Sequence, residues 1–508
     1  MKKIFIISVF FISTLAIAQK NKDAAKFAQT ITQKDLKDQL TIVASAEMEG
    51  RETATPGQKR AAAYIESQFK EFGLLPGNGS SYQQLYPVFQ DELKSAMLDL
   101  YNLKFAYDKD FAINLSNAVN GTFNVNEVVF VGYGNTDKEK DDYKNVNVKG
   151  KWVMLLEANA ADIDKDENST MSNQRAVFAK INAATKNGAA GVIVVSKSFL
   201  KINRQPAQRK GNMYMKKQTT ENAVPVISVS YQAAASILTR FLNNYSDLKN
   251  IAPGNYATNI KLTIDKTTNN LESSNVIGLL EGTDKKDEYI ILTGHYDHLG
   301  KRDSVIYFGA DDDGSGTVSV IEMAQAFAEA KKKGKGPRRS ILFMTVSGEE
   351  KGLWGSEYYT THPTVPLNKI SVNLNTDMVG RIDPLYKGDS MNYVYAIGED
   401  KLSTELMKIT DSINKSANLE IDRRFNDPKD PNRFYYRSDH YNFAKNGVPI
   451  IFYFDGVHKD YHRPTDTVEK INFDLMEKRV HLIFNTAWVL ANRNEMIKRD
   501  LPLNVGTR

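Results

Sequence analysis

The stretch YIILTGHYD at residues 289–297 decides the architecture. Tyr289 to Thr293 is a short apolar run closed by Gly294, which reads as a buried strand. His295 follows at once, with Asp297 two residues further on. The pattern recurs along the chain. Ile341 to Val346 leads into Gly348-Glu349-Glu350, Ile370 to Leu374 into Asn375-Thr376-Asp377-Met378, and Ile450 to Phe454 is followed by Tyr461-His462. Asp311-Asp312-Asp313-Gly314-Ser315-Gly316 opens a helix expected over Thr317 to Lys331. Taken singly, each has an ordinary explanation; adjacent glutamates, for instance, are favoured at a helix start. Five such elements between His295 and His462 are more than a core requires.

After Asn275 strands and helices alternate, with further helices expected near Leu402 to Asn414 and from Asp474 to Asn492. Alternation of this kind predicts an α/β sheet with helices on both faces. In such sheets sites form beyond the carboxyl ends of the strands. His295, Glu349, Glu350 and Asp377 all fall there, so one crevice would collect them.

Upstream the pattern differs. Thr32 caps a helix with Leu36, Leu40 and Val43 at helical spacing, and a second helix is expected from Gln58 to Phe72, ended by Gly73. Between them Glu49-Gly50-Arg51-Glu52-Thr53 reads as a polar turn. From about Asn126 strand-like segments take over: Val128 to Val131, Trp152 to Leu156, Val192 to Val195 and Val224 to Val229, with one helix near Arg175 to Lys186. This stretch has no histidine, so 117–255 is expected to be a small β-rich inserted domain. Asp162, Asp164 and Asp166 alternate like the start of a calcium loop. Glu167 stands where such a loop needs glycine, and Asn173 where it needs glutamate, so a solvated acidic loop is expected.

Composition bounds the partners. The 508 residues exceed one ordinary core, and 41% hydrophobic with 25% charged residues is the balance of a globular protein. Lys2 and Lys3, the apolar run Ile4 to Leu15 and Ala16-Ile17-Ala18 fit a signal peptide over 1–18, with Gln19 as the mature start and a periplasmic or secreted destination. No other apolar stretch is long enough to span a bilayer, so no stable membrane insertion is expected. The absence of cysteine excludes disulfides. A formal charge of +5, or +3 without Lys2 and Lys3, is too small to imply nucleic acid. The basic run Lys331 to Arg339 is broken by Gly334, Gly336 and Pro337 and reads as a solvated connection.

Carboxylates and imidazoles are the donors of hard and borderline divalent cations, and a pair of cations needs a carboxylate that reaches both. The strand-end residues therefore read as a two-metal hydrolase site. On these motifs, with Val131-Gly132-Tyr133-Gly134 and Asn187-Gly188-Ala189-Ala190-Gly191-Val192 in the insert, the chain resembles the M28 metallopeptidases. These are aminopeptidases of the cocatalytic-zinc type, here with an inserted protease-associated domain. The resemblance covers essentially the whole mature chain. It implies a mixed, mostly parallel sheet with helices on both faces, a helical lead-in over 19–116, the protease-associated insert over 117–255 and a catalytic domain over 256–508.

The resemblance also implies roles. Asp312, rather than Asp311 or Asp313, bridges two zinc ions; His295 and Asp377 complete one site, Glu350 and His462 the other. Glu349 is the general base and Tyr461 the oxyanion donor. Asp297 would receive the proton of the second ring nitrogen of His295, and Asp313 would follow a cis bond. Ser438, Asp439 and His440 match the run that contacts substrate, and His298 is expected behind the ligands or facing the cleft. His362, His458 and His481 receive no role. The function expected is an exported exopeptidase releasing N-terminal residues from peptide substrates. Carboxypeptidase action, with Arg381, Arg423, Arg424, Arg433 and Arg437 available for a terminal carboxylate, is the near alternative. Glutaminyl cyclase and an inactive receptor-like module are the remoter ones, and the oligomeric state is open.

Overall fold

In the computed structural model the strand that ends in His295, Lys285–His295, lies in the middle of a sheet and is buried from Ile290 onwards. The structure describes residues 22–115, 118–137, 140–165, 174–197, 199, 209–215 and 224–503. The segment 1–18 expected to be a signal peptide, and Asp166, Glu167 and Asn173, lie outside the described residues.

Two units divide the chain. The first comprises the residues up to Pro87 and from Glu272 onwards; the second is Val88–Leu271. In the first, the elements that build the site are α1 (Gln33–Val43), α2 (Pro56–Phe72), β1 (Gly254–Leu280, from Glu272), β2 (Lys285–His295), α3 (Gly316–Lys332), β3 (Arg339–Val346), α4 (Trp354–Thr361) and β4 (Ile370–Thr376). They continue with β5 (Tyr393–Ile397), α5 (Leu406–Ala417), β6 (Glu420–Asp422), α6 (His440–Ala444), β7 (Ile450–Phe454) and α7 (Phe473–Asn492). The strands run in the order β6-β5-β7-β4-β2-β3-β1. β7, β4, β2 and β3 are parallel, while β1 and β5 join antiparallel. The expected mixed, mostly parallel sheet is present.

Strands buried on both faces need apolar residues on both. Arg339–Val346 and Ile370–Thr376 are buried along their whole lengths. On one face Leu36, Leu40, Phe69, Val318, Ile321, Phe327, Ile483 and Trp488 from α1, α2, α3 and α7 pack together with Ile290 and Leu292. On the other, Ile291, Leu342 and Met344 meet Tyr359 and Phe443 from α4 and α6. Local signals set the helix ends as read. The Thr32 hydroxyl accepts the Asp35 N–H at 3.2 Å, and Gly73 ends α2 at φ 81°. α5 begins at Leu406, a turn later than the expected start at Leu402.

The second unit is β-rich. Gly121–Phe130, Trp152–Leu156, Gly191–Val195 and Val226–Val229 form a parallel set, with Phe111–Ile113 and the start of Gly254–Leu280 antiparallel at its edges. It is wider at both ends than the insert expected over 117–255. The chain enters along Gln83–Leu100, whose buried positions are mostly apolar, and leaves along Gly254–Leu280, a long strand rich in Thr, Asn and Lys. In the second of these the polar alternation leaves little apolar periodicity for a sequence reading.

Candidate active site

Beyond the carboxyl ends of β2, β3 and β4 the expected residues converge. β2 delivers His295 as its last residue, β4 delivers Asp377 immediately after Thr376, and the loop after β3 delivers Glu349 and Glu350. Order reverses at β2, whose neighbours β3 and β4 lie on opposite sides, so the crevice opens where parallel sheets hold ligands. Gly294 allows the close approach: a Cβ there would stand 3.0 Å from both Gly316 C and Thr376 O.

Asp312 sits at the centre. Its Oδ1 lies 3.3 Å from His295 Nε2 and its Oδ2 3.1 Å from His462 Nε2. Asp377 Oδ1 is 3.6 Å from His295 Nε2, and Glu350 Oε2 is 3.1 Å from His462 Nε2. One carboxylate thus faces two donor sets, one on each oxygen. The donors suit divalent cations. His295, Asp312 and Asp377 bring ligand atoms within 4.8 Å of one another, as do His298, Asp312 and Glu350. Among the described residues Asp312 Oδ2 and Glu350 Oε1 are buried without a hydrogen bond. Oxygens left so are costly unless a cation or solvent compensates them.

The acidic loop is held from several sides. The Asp312–Asp313 peptide is cis. Asp313 Oδ2 accepts the His295 N–H at 2.9 Å, and its Oδ1 accepts those of Gly316 and Met378 at 2.9 and 3.0 Å, so this side chain ties three segments together. Asp466 Oδ2 accepts the N–H groups of Asp311 and Asp312 at 3.0 and 3.1 Å. Met378 and His462 both adopt left-handed backbone, at φ 59° and 56°. Such conformations persist where surrounding contacts over-determine them.

Asp297 stands beside His295, but the partner of the ring is not its carboxylate. His295 Nδ1 is 3.0 Å from the main-chain oxygen of Asp297, while Asp297 Oδ1 is 3.7 Å away. The carboxylate instead accepts the Thr53 hydroxyl at 2.7 Å and the Glu349 N–H at 3.2 Å. Asp297 therefore positions the loop that carries Glu349. Glu349 Oε2 faces His295 Nε2 at 3.9 Å. Burial, together with the charges of Glu350, Asp377 and Asp439, holds the Glu349 carboxyl well above the usual range against the opposing pull of His295.

The Tyr461 ring stacks on His462 with centroids 3.9 Å apart, and Arg437 Nη2 donates to its hydroxyl at 3.3 Å. A tight cavity of ≈ 30 Å³ reaches in beside His295, Asp377 and Glu349 between Phe434, Phe452 and Phe454. A wider one of ≈ 370 Å³ opens beside Glu350 and His462 and is lined by Arg433 and Arg437. A larger hollow of ≈ 960 Å³, lined by Ala24, Lys408, Ile413 and His481, includes none of the expected ligands.

Of the run matched to substrate contact, only Ser438 lines the cavity. Asp439 and His440 turn inward, a correction to that expectation. Asp439 is wholly buried, accepts the Ser356 hydroxyl at 2.5 Å and is pushed up to about 7 by burial. His440 Nε2 lies 2.8 Å from Tyr435 O, its ring stacks on Phe452, and burial lowers it to about 3. These residues start α6, whose buried face is set by packing on β7. The reverse holds for Glu49-Gly50-Arg51-Glu52-Thr53, read as a plain polar turn. Arg51 and Thr53 are completely buried and reach the segments that carry His295 and Asp312. The only local signal was an arginine and a threonine in a turn, which does not separate solvated from buried.

The model of peptidase family M28 matches residues 275–487, the span that contains every candidate ligand named above. This part of the chain belongs to peptidase family M28. The chain is 34% identical over 135 residues to a probable glutamate carboxypeptidase of Arabidopsis thaliana, covering 26% of this chain and 18% of the relative. It is 29% identical over 206 residues to a probable leucine aminopeptidase 2 of Aspergillus oryzae, covering 39% and 37%. The chain thus spans well under two thirds of the length of these curated relatives. Among solved structures, an aminopeptidase from Aneurinibacillus sp. strain AM-1 superposes with a TM-score of 0.55 at 18% identity, covering 94% of this chain and 98% of that one. A zinc aminopeptidase from Bacillus subtilis gives 0.50 at 18% identity, covering 93% and 99%. At such identity the likeness is one of fold.

Proposed function

We propose that the protein is an exported, zinc-dependent aminopeptidase that hydrolyses N-terminal residues from peptides. The observation that carries the reading is the split of Asp312, one oxygen toward His295 and the other toward His462. His295, Asp312 and Asp377 would hold one zinc ion, and Asp312, Glu350 and His462 the second. Bound cations would lower the pKa of a water between them and polarise the scissile carbonyl. Glu349, set by its N–H on Asp297, would take the proton of that water at its carboxylate and pass it to the departing amine. Tyr461, steadied by His462 and Arg437, would donate a hydrogen bond from its hydroxyl to the developing oxyanion. Ser438 and the aromatic wall of Phe434, Phe452 and Phe454 would exclude water and receive a side chain. The probable leucine aminopeptidase among the relatives and the aminopeptidases among the fold neighbours support the terminus chosen.

Export is proposed on the signal-like segment 1–18. The second unit is proposed to be a protease-associated domain. A second reading, carboxypeptidase action, has one observation in its favour: Arg433 and Arg437 line the wider cavity, where a terminal carboxylate would be welcome. Hydrolysis of aminoacyl anilides decides between them. Cleavage that is abolished by N-acetylation and by chelation supports the aminopeptidase. Preference for N-blocked peptides with free carboxyl ends replaces it with the carboxypeptidase.

A further inference from the structure

We propose that His298 is a fourth protein ligand of the second cation, so that this site is held by His298, Asp312, Glu350 and His462. The inference rests on the two-cation reading above and makes the two sites unequal.

His298 is fully buried, yet neither ring nitrogen has a hydrogen bond among the described residues. Its Nδ1 stands 2.9 Å from Glu350 Oε1 and 3.8 Å from Asp312 Oδ2. Glu350 Oε1, although so near, is itself without an aligned partner. Two buried polar atoms at contact distance but off the hydrogen-bond direction aim at something between them. A packed histidine with no such role would have its ring nitrogens satisfied. The ring of His462 lies across from it, with centroids 5.9 Å apart and planes tilted by 68°, so the two imidazoles flank the same carboxylates.

The surroundings are shaped for this ring. Gly309, at φ 57°, has no side chain where a Cβ would come within 2.5 Å of His298 Cγ and Cδ2. The main chain is pinned as well: the His298 N–H donates to Arg51 O at 3.2 Å. Arg51 in turn donates to Gly309 O at 2.8 Å, joining both walls of the pocket. The imidazole is thereby held in place before any cation arrives.

Ligand count then differs between the sites. Three protein groups at the first leave more positions for water and substrate than four at the second. Open positions mark a cation that takes part in chemistry, and a closed set marks one that is retained. The second cation is the anchor, and the first is the one that exchanges.

Metal analysis tests this without relying on turnover. After dialysis against graded chelator, the wild-type protein should lose one zinc readily and keep the other. His298→Ala should lower affinity for the retained zinc by about 100-fold or more, at or beyond the upper end of what outer contacts give. It should also change the visible absorption of the cobalt-loaded protein, with circular dichroism confirming the fold. His298→Gln, which keeps an N–H donor toward Glu350, should not restore wild-type affinity. Unchanged zinc retention in His298→Ala, or full rescue by glutamine, overturns the proposal in favour of packing or of a hydrogen bond to Glu350. A wild-type protein that binds fewer than two cations would instead overturn the two-cation reading itself.

Discussion

Arg51 donates from Nε to the main-chain oxygen of Tyr296, the residue next to His295, at 2.7 Å. Its other nitrogens reach Val43 O, Phe308 O and Gly309 O at 2.9, 2.7 and 2.8 Å. One buried guanidinium therefore ties α1 to the loops on either side of the site. Each charged hydrogen bond of this kind contributes about 1.5–3 kcal/mol, and buried acceptors left unpaired cost a comparable amount. Arg51→Met should destabilise the protein by at least about 3 kcal/mol and weaken cation binding, with Arg51→Lys rescuing only part. Unfolding curves with and without chelator measure both effects; equal stability of Arg51→Met and wild type would refute the role.

Glu349 approaches the ligands but belongs to neither donor set, its Oε2 being 3.9 Å from His295 Nε2. Glu349→Gln should lower kcat by about 10²–10⁴-fold, the range for loss of a general base, while both cations remain bound. Metal content measured beside kcat separates the two roles. Loss of a cation in this variant would reassign Glu349 as a ligand.

Glu322 on α3 is buried behind the sheet, and burial, reinforced by Asp35, raises its carboxyl to about 8. In the unfolded chain the group titrates near 4.3. Between these values the native state holds a proton that the unfolded state has released, so stability falls as pH rises from about 4 to 8 and is flat beyond. The loss is of the order of a few kcal/mol. Glu322→Gln should match the wild type near pH 4 and be more stable at pH 9. Denaturant midpoints at the two pH values decide it; an equal gain at both would reject the titration account.

Asp312, Asp377, Glu349 and Glu350 crowd several carboxylates into one largely enclosed space. Chelation should therefore lower the melting temperature as well as abolish hydrolysis. Added zinc should restore both, with a shift that grows logarithmically with free zinc. A melting temperature indifferent to chelator would argue against tightly held cations.

What the sequence determined by itself is the set of local choices. The apolar runs before His295, Glu349 and Asp377, the Thr32 cap and the Gly73 stop are all written in neighbouring residues, because strand and helix periods and backbone preferences act over a few positions. That was sufficient for the α/β class and for the strand ends that carry the candidate ligands. Only tertiary structure decided which atom meets which. It chose the main-chain oxygen of Asp297 rather than its carboxylate for His295, and it turned Asp439 and His440 into the core while drawing His298 to Glu350. It also made the Arg51 turn part of the site and set the second unit at Val88–Leu271. Side-chain direction and burial depend on contacts between residues far apart in the chain, and distances of a few tenths of an ångström separate a ligand from a bystander. No periodicity in the residues themselves carries that information.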